Sequence, residues 1–142
     1  MNALDWLRDL MRESRWFRIA LQTAAGAVVL GLVAAGAWAW YQSQESRGLV
    51  ALAEAGPLVQ QASAPDAPID VRTRGIKVLE SLIADYPRLS TLPQATYQLG
   101  NLKYLMGQHE AARGAYELTL AKGASGSLAA LAGMGIGYSW EA

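Results

Sequence analysis

The sequence of 142 residues contains no cysteine and a single histidine. The lack of cysteine excludes disulfides, a thiolate nucleophile and thiolate metal ligands. His109 alone does not build a histidine-based metal site, and the carboxylates are scattered along the chain. We therefore predict that the protein is not an enzyme and has no catalytic residue, metal or cofactor.

A basic excess is also missing, because 12 lysines and arginines balance 12 aspartates and glutamates. Without a basic patch, no nucleic-acid partner is predicted. A phosphate-binding loop is absent too, since the glycine run GMGIG at 133–137 has no Lys, Ser or Thr partner and no preceding strand. These glycines are instead predicted to be positions of close packing.

Charge disappears altogether between Arg18 and Glu45. A helix from Ile19 to Trp40 would be roughly 33 Å long, enough to cross a hydrocarbon core of ~30 Å. Residues 19–41 are therefore predicted to form a single transmembrane helix in the lipid bilayer. Aromatic residues stand at both ends, as in interfacial aromatic belts: Trp16, Phe17, Trp38, Trp40 and Tyr41.

The flanking charges predict the orientation of this span. Four arginines precede it, and only Arg47 follows within 20 residues. The positive-inside rule then places the N-terminus in the cytoplasm and residues 42–142 on the other side. In a bacterium this is a single-pass inner-membrane protein with a periplasmic C-terminal domain. The alternative is a cleaved secretion signal, because AWA at 37–39 fits a signal-peptidase site.

Two features near the membrane indicate partners. Residues 1–18 predict an amphipathic cytoplasmic helix that lies in the interface or docks on a neighbouring subunit; the alternative is a plain cytosolic extension of the span. Small residues recur at helical spacing within the span and would let a helix of another membrane-complex subunit approach; the alternative is that they are simply common in such helices. They are Ala20, Ala24, Ala27, Gly31 and Ala35.

After the span the chain predicts helices and no strand, so the fold class is all-α. Residues 42–70 are read as a helix and a linker, with an interruption at Gly56-Pro57, and residues 71–142 as paired helices. Gly107 is predicted to end one helix in a left-handed C-cap, and Gly123 closes the next. The predicted helices of this region are 71–87, 92–107, 109–123 and 125–142.

Gly100 lies in a predicted helix interior, where glycine costs ~1 kcal/mol relative to alanine and indicates a packing reason. It belongs to a pattern made by Leu99, Gly100, Asn101, Gly107, Ala112 and Tyr116. With these residues the segment 93–126 resembles a tetratricopeptide repeat (TPR), a helix–turn–helix unit of roughly 34 residues. Thr119 and Ala124 depart from the usual alanine and proline. The pattern recurs in part at Gly135 and upstream at Gly75, Leu79, Leu82 and Pro87.

The resemblance implies an incomplete α-solenoid of antiparallel helix pairs, in which Gly100 and Ala112 make the close contact. The last helix is expected to lack its mate, so the chain is a fragment or a partner covers that edge. The first helix of each pair lines the concave face, which implies a groove for an extended polypeptide. Its residues here are Gln94, Tyr97, Asn101 and Tyr104. The alternative is that both tyrosines pack against the preceding helix pair.

The layout of a short cytoplasmic tail, one span and repeats beyond it is similar to bacterial inner-membrane TPR proteins, including ancillary subunits of the secretion translocon. Two functions follow from the resemblance. The first is an anchored scaffold that binds partner or client polypeptides on the periplasmic side. The alternative is a structural accessory subunit that stabilises a large integral-membrane complex, an energy-transducing one among the candidates, through its transmembrane helix.

Overall fold

The computed structural model describes residues 15–142, and this part of the chain forms five helices and no strand. The all-α prediction is therefore confirmed for these residues. Most of the amphipathic helix predicted for residues 1–18 lies outside them. The helices are α1 (Arg15–Ala62), α2 (Ile69–Asp85), α3 (Leu92–Leu105), α4 (His109–Ala121) and α5 (Gly126–Glu141).

The chain divides into two compact units, Met1–Gln42 and Ser43–Ala142. In the first unit the described residues belong to α1 alone. This helix is long and apolar enough to cross a membrane, and none of its most apolar stretch is buried within the protein. A signal sequence or a core helix passes the same test of length and composition. The helix does not end at residue 41, as the predicted span does, but continues to Ala62.

The expected interruption at Gly56-Pro57 is wrong, because Pro57 lies inside α1. A proline in a helix removes the hydrogen bond to the carbonyl four residues earlier, here that of Ala53. All three residues are exposed, so water can reach the freed carbonyl. The opposite face of the helix is held by burial in the core, at Ala55, Val59 and Ala62.

The main core of the second unit lies among the C-terminal part of α1, α2 and α3. The apolar residues that recur at helical spacing on α2 point into it, as the periodicity of that segment predicts. Arg72 joins α2 to the end of α1: its Nε donates to the Ala62 carbonyl at 3.3 Å, and one terminal nitrogen donates to the carbonyls of Ala64 and Pro65 at 3.0 Å each. The largest fully buried side chains of this core are Leu79, Leu92 and Leu102.

Two glycines set the turns around α4, as predicted. Gly107 has φ 73° and Gly123 has φ 92°, a left-handed conformation that glycine adopts without penalty. After α3, the Gly107 N–H donates to the Tyr104 carbonyl and the Gln108 N–H to the Lys103 carbonyl, each at 2.9 Å. This is the Schellman pattern, and the same pair of bonds recurs after α4. The helix before each turn therefore ends at a defined residue.

The α2–α3 contact contains an ion pair that the sequence did not reveal. The ammonium of Lys103 lies 2.7 Å from a carboxylate oxygen of Glu80, and the lysine side chain is only 17% exposed. Lys103 is thus a partly buried link between two helices. A substitution there would break a contact, so it is not a neutral surface position.

Candidate functional site

The ring of Tyr116 on α4 fills the space left by two absent side chains. A Cβ added to Gly100 on α3 would lie 2.6 Å from Cε1 of this ring, and one added to Gly135 on α5 would lie 2.7 Å from Cε2. Real Cβ atoms essentially never come within 3.0 Å of another heavy atom in this way, so a side chain at either glycine would force the ring or a helix to shift. The ring is therefore held at opposite edges by glycines on two helices. The expected partner of Gly100, Ala112, is fully buried, and the atoms closest to a Cβ added at Gly100 belong to Tyr116.

The two glycines are 35 residues apart in the sequence and contact opposite edges of the same ring. The other two glycines of the 133–137 run make no such contact, because a Cβ at Gly133 or Gly137 would meet nothing within 4 Å. The prediction that the glycines of the 133–137 run are close-packing positions is thus right for Gly135 and wrong for the other two.

The hydroxyl of Tyr116 also makes a hydrogen bond. It donates a hydrogen bond of 2.8 Å to Oδ1 of Asn101, and only 3% of the residue is exposed. Burial raises the pKa of the Tyr116 phenol to about 12, helped by the nearby Tyr97 and Tyr104. Like any tyrosine phenol it is protonated in the neutral range, and the raised pKa extends its role as a donor further into the alkaline range.

The residues predicted to line a groove lie on α3. Tyr97 precedes Asn101 by one helical turn and Tyr104 follows it by one, so the three share a face, and each is partly buried. The Tyr97 and Tyr116 rings are tilted, with centroids 5.7 Å apart. Both groove tyrosines pack against the cluster of Ala112, Tyr116 and Ala132, on α4 and α5 rather than on the preceding helix pair. Gln94, in the first turn of α3, is exposed.

His109 begins α4 and contributes packing to this face. Its ring meets the Tyr104 ring edge-on, with centroids 5.0 Å apart, and its Nδ1 is buried without a hydrogen-bond partner. Within residues 15–142 no group of three or more His, Asp or Glu side chains is arranged to hold a metal. The geometry assigns this histidine to an aromatic contact.

Beneath the site, two threonine hydroxyls pair in the core, a contact missed from the sequence. Thr119 and Thr96 are fully buried, and their Oγ1 atoms lie 3.0 Å apart across α3 and α4. Each hydroxyl also reaches a carbonyl of its own helix, for example that of Ala115 at 2.9 Å from Thr119. The departure from alanine at Thr119 is therefore matched by a polar residue on the facing helix. In the sequence, the hydroxyl of Thr96 within a predicted helix was the feature that could have indicated this pairing.

The small residues predicted to pack a membrane partner lie on the exposed stretch of α1. A Cβ at Gly31 would meet nothing within 4 Å, so space for an approaching helix is present there. All of these residues are exposed: Ala20, Ala24, Ala27, Gly31 and Ala35.

The buried phenol predicts a loss of stability at alkaline pH. The pKa of Tyr116 rises from an ordinary 10.0 to about 12 in the folded protein, so the unfolded chain loses this proton first. The contribution of this phenol to stability is fully present below about pH 10 and is lost between about pH 10 and 12, by at most about 1.4 kcal/mol per pH unit. Urea unfolding at stepped pH should show this decline, and Tyr116→Phe should flatten it. An equally steep decline in both proteins would contradict the assignment.

No protein-family model, no curated protein and no solved structure matches this chain. The candidate site is defined by the contacts of the chain's own residues. Three of these contacts define it: the ring of Tyr116 between two glycines, the bond from its hydroxyl to Asn101, and the two partly exposed tyrosines beside that amide.

Proposed function

We propose that this chain is a membrane-anchored helical-repeat protein of the TPR type, which binds an extended polypeptide on the face of α3. The binding domain comprises the helices that follow the apolar part of α1, and the arginine distribution favours the periplasmic side of a bacterial inner membrane for it. The protein acts as a scaffold and carries out no chemistry.

The repeat assignment is supported by the glycine contacts of Tyr116. In a stack of helix pairs, a large side chain between helices needs a nearly absent one opposite it. Gly100 and Gly135, on two different helices, both leave this space for the Tyr116 ring. Short turns ended by left-handed glycines, at Gly107 and Gly123, give the antiparallel course that such pairs require.

The observation that carries the binding function is the composition of the α3 face. Tyr97, Asn101 and Tyr104 present an amide and two phenols, partly exposed, on one side of the helix. Tyrosines offer apolar area with a polar tip, and an amide matches the hydrogen bonds of a peptide backbone. Such a surface suits an extended chain better than it suits a small charged ligand.

The exposed apolar stretch of α1 favours a second candidate function, that of an accessory subunit of a larger membrane complex. Large side chains are exposed along it, with Trp38 at 72% and Trp40 at 62%. Small residues such as Gly31 leave room for a partner helix on the same segment. Permanent contacts there would hold the protein in a complex without use of the α3 face.

One co-purification experiment separates the two functions. The full chain is solubilised in mild detergent as wild type, as Asn101→Ala/Tyr104→Ala and as Ala27→Leu/Gly31→Leu, and its companions are quantified by mass spectrometry. The scaffold predicts companions lost with the α3 variant and kept with the membrane variant, while circular dichroism shows that both variants remain helical. A moderate fall in the melting temperature of the α3 variant is expected, because Asn101 accepts the Tyr116 hydrogen bond and Tyr104 packs against the cluster. The accessory subunit predicts companions lost only with the membrane variant. Unfolding of the α3 variant would instead assign Asn101 and Tyr104 to the core and contradict their binding role.

The membrane topology is tested separately. A reporter enzyme that works only outside the cytoplasm should be active when fused after Tyr41 and inactive when fused before Trp16, because the arginines cluster before the span. Immunoblotting of the same cells checks that both fusions accumulate. The reverse pattern would overturn the localisation, and a shortened product would identify a cleaved signal.

A further inference from the structure

The Asn101 side chain uses one end of its amide inside the protein and leaves the other free. An amide oxygen accepts hydrogen bonds, while its nitrogen donates two. Oδ1 of Asn101 accepts from the Tyr116 hydroxyl at 2.8 Å. Its Nδ2 bonds to no described residue and is not among the buried polar atoms that lack a partner, so it reaches solvent.

Tyr116 cannot easily release this contact. Its ring is held at opposite edges by Gly100 and Gly135, so a change of its rotamer would push the ring into a helix backbone. A tyrosine phenol is protonated at neutral pH, so the hydroxyl has its proton to donate. The hydroxyl is thus a fixed donor aimed at one atom of Asn101.

We infer that Tyr116 is a positioning residue which turns the Asn101 amide so that its N–H groups face a bound polypeptide, and that the polypeptide supplies an acceptor oxygen at this point. The inference rests on the proposed binding function of the α3 face. A polypeptide offers two such oxygens, a backbone carbonyl or a C-terminal carboxylate. A partner that presented a backbone N–H here would meet a second donor and lose a hydrogen bond.

The neighbouring tyrosines fit the same occupant. Tyr97 and Tyr104 lie one helical turn to either side of Asn101, and no described residue hydrogen-bonds to their hydroxyls. Their rings give apolar surface next to the amide, as an extended chain with alternating side chains would need. Between the two rings, the Asn101 nitrogen is the hydrogen-bond donor and the polypeptide supplies the acceptor.

The test uses the full chain in lipid nanodiscs and a peptide selected against it from a random displayed library. The peptide is synthesised with a free and with an amidated C-terminus, and its Kd is measured by fluorescence anisotropy. Asn101→Asp is the decisive variant, because both ends of a carboxylate accept while the bond from Tyr116 is kept. We expect binding to weaken by roughly tenfold or more. Gln98→Glu, the same change at an exposed position of α3, should stay within about twofold.

Tyr116→Phe tests the positioning role, since it removes the hydroxyl and keeps the ring. We expect it to weaken binding a few-fold in the wild type and to have no further effect when Asn101 is already alanine. A merely structural role would weaken binding equally in both backgrounds. Loss of affinity on amidation assigns the acceptor to a terminal carboxylate, and unchanged affinity assigns it to a backbone carbonyl.

Two results would overturn the inference while leaving the proposed function standing: an Asn101→Asp protein that binds the peptide as tightly as wild type, or a Tyr116→Phe effect that persists without Asn101. Two other results would contradict both the inference and the proposed function. If no library peptide binds, or if Asn101→Ala/Tyr104→Ala binds the selected peptide as well as wild type does, the α3 face is not a polypeptide site.

Discussion

Gly100→Ala should destabilise the domain by about 1–3 kcal/mol, although alanine is the better helix former. The added Cβ would lie 2.6 Å from the Tyr116 ring. That ring cannot move aside, because Gly135 holds its other edge and Asn101 holds its hydroxyl. Urea unfolding of the detergent-solubilised chain, followed by circular dichroism, measures the change.

Gly114→Ala is the matched control. Gly114 lies in the middle of α4, is exposed, and a Cβ there would meet nothing within 4 Å. The same substitution should therefore stabilise the protein, by up to about 1 kcal/mol. The two changes are expected to have opposite signs, and the cost of Gly100→Ala should shrink when Tyr116 is leucine. If both alanines are tolerated alike, the ring contact is wrong.

Arg72→Met should cost about 1–3 kcal/mol through the loss of hydrogen bonds from a charged group. Its guanidinium donates to three carbonyls, that of Ala62 at the C-terminus of α1 and those of Ala64 and Pro65 just beyond it, and a positive charge is favoured at a helix C-terminus. Methionine keeps most of the apolar stem, so the loss is assigned to the guanidinium. Arg72→Lys should recover only part of it, because an ammonium lacks the fork that reaches several carbonyls.

Arg74→Met provides the comparison two residues away. Arg74 forms an exposed pair with Asp70 at 3.2 Å, with side chains 62% and 72% exposed. Such pairs contribute little, so this change should stay within about 0.5 kcal/mol. Both variants are unfolded in urea under the same conditions. Equal losses of stability in the two variants would mean that removing any positive charge from α2 has this effect, and that the hydrogen bonds from Arg72 to the end of α1 do not account for it.

The sequence was most informative where a single residue type is required. Gly107 and Gly123 could be placed at helix ends because few other residues adopt a positive φ, and the turns formed as expected. The all-helical class followed from periodicity in the same way. Gly100 could be assigned to a close contact because glycine in a helix needs a reason.

The sequence did not indicate which of several similarly placed side chains makes a given contact. Ala112 and Tyr116 lie one helical turn apart on α4, so spacing alone did not decide which of them meets Gly100. The pairing of Lys103 with Glu80 joins residues on different helices, and surface charges carry no signal of their partner. Pro57 was read as a break because its local cost is visible in the sequence, whereas the burial that offsets it arises only after folding.

The bond between Tyr116 and Asn101 was likewise invisible beforehand. Each residue had been assigned a separate task, the tyrosine in packing and the asparagine in binding. Only the folded arrangement brings the hydroxyl within 2.8 Å of the amide oxygen. The candidate site thus combines a face that could be predicted with an orientation that could not.

A single ring held by two helices also couples the local opening of α5 to that of α4. For α5 to separate from the domain, Gly135 must leave the Tyr116 ring, and the ring then loses the support that presses it against Gly100. Opening of α5 should therefore also loosen the part of α4 that bears Tyr116, and native-state hydrogen exchange should give amide protons around Gly135 and Tyr116 a shared opening free energy. α3 keeps its burial against α1 and α2 in such an opening, so amide protons around Gly100 should exchange only at a higher opening free energy.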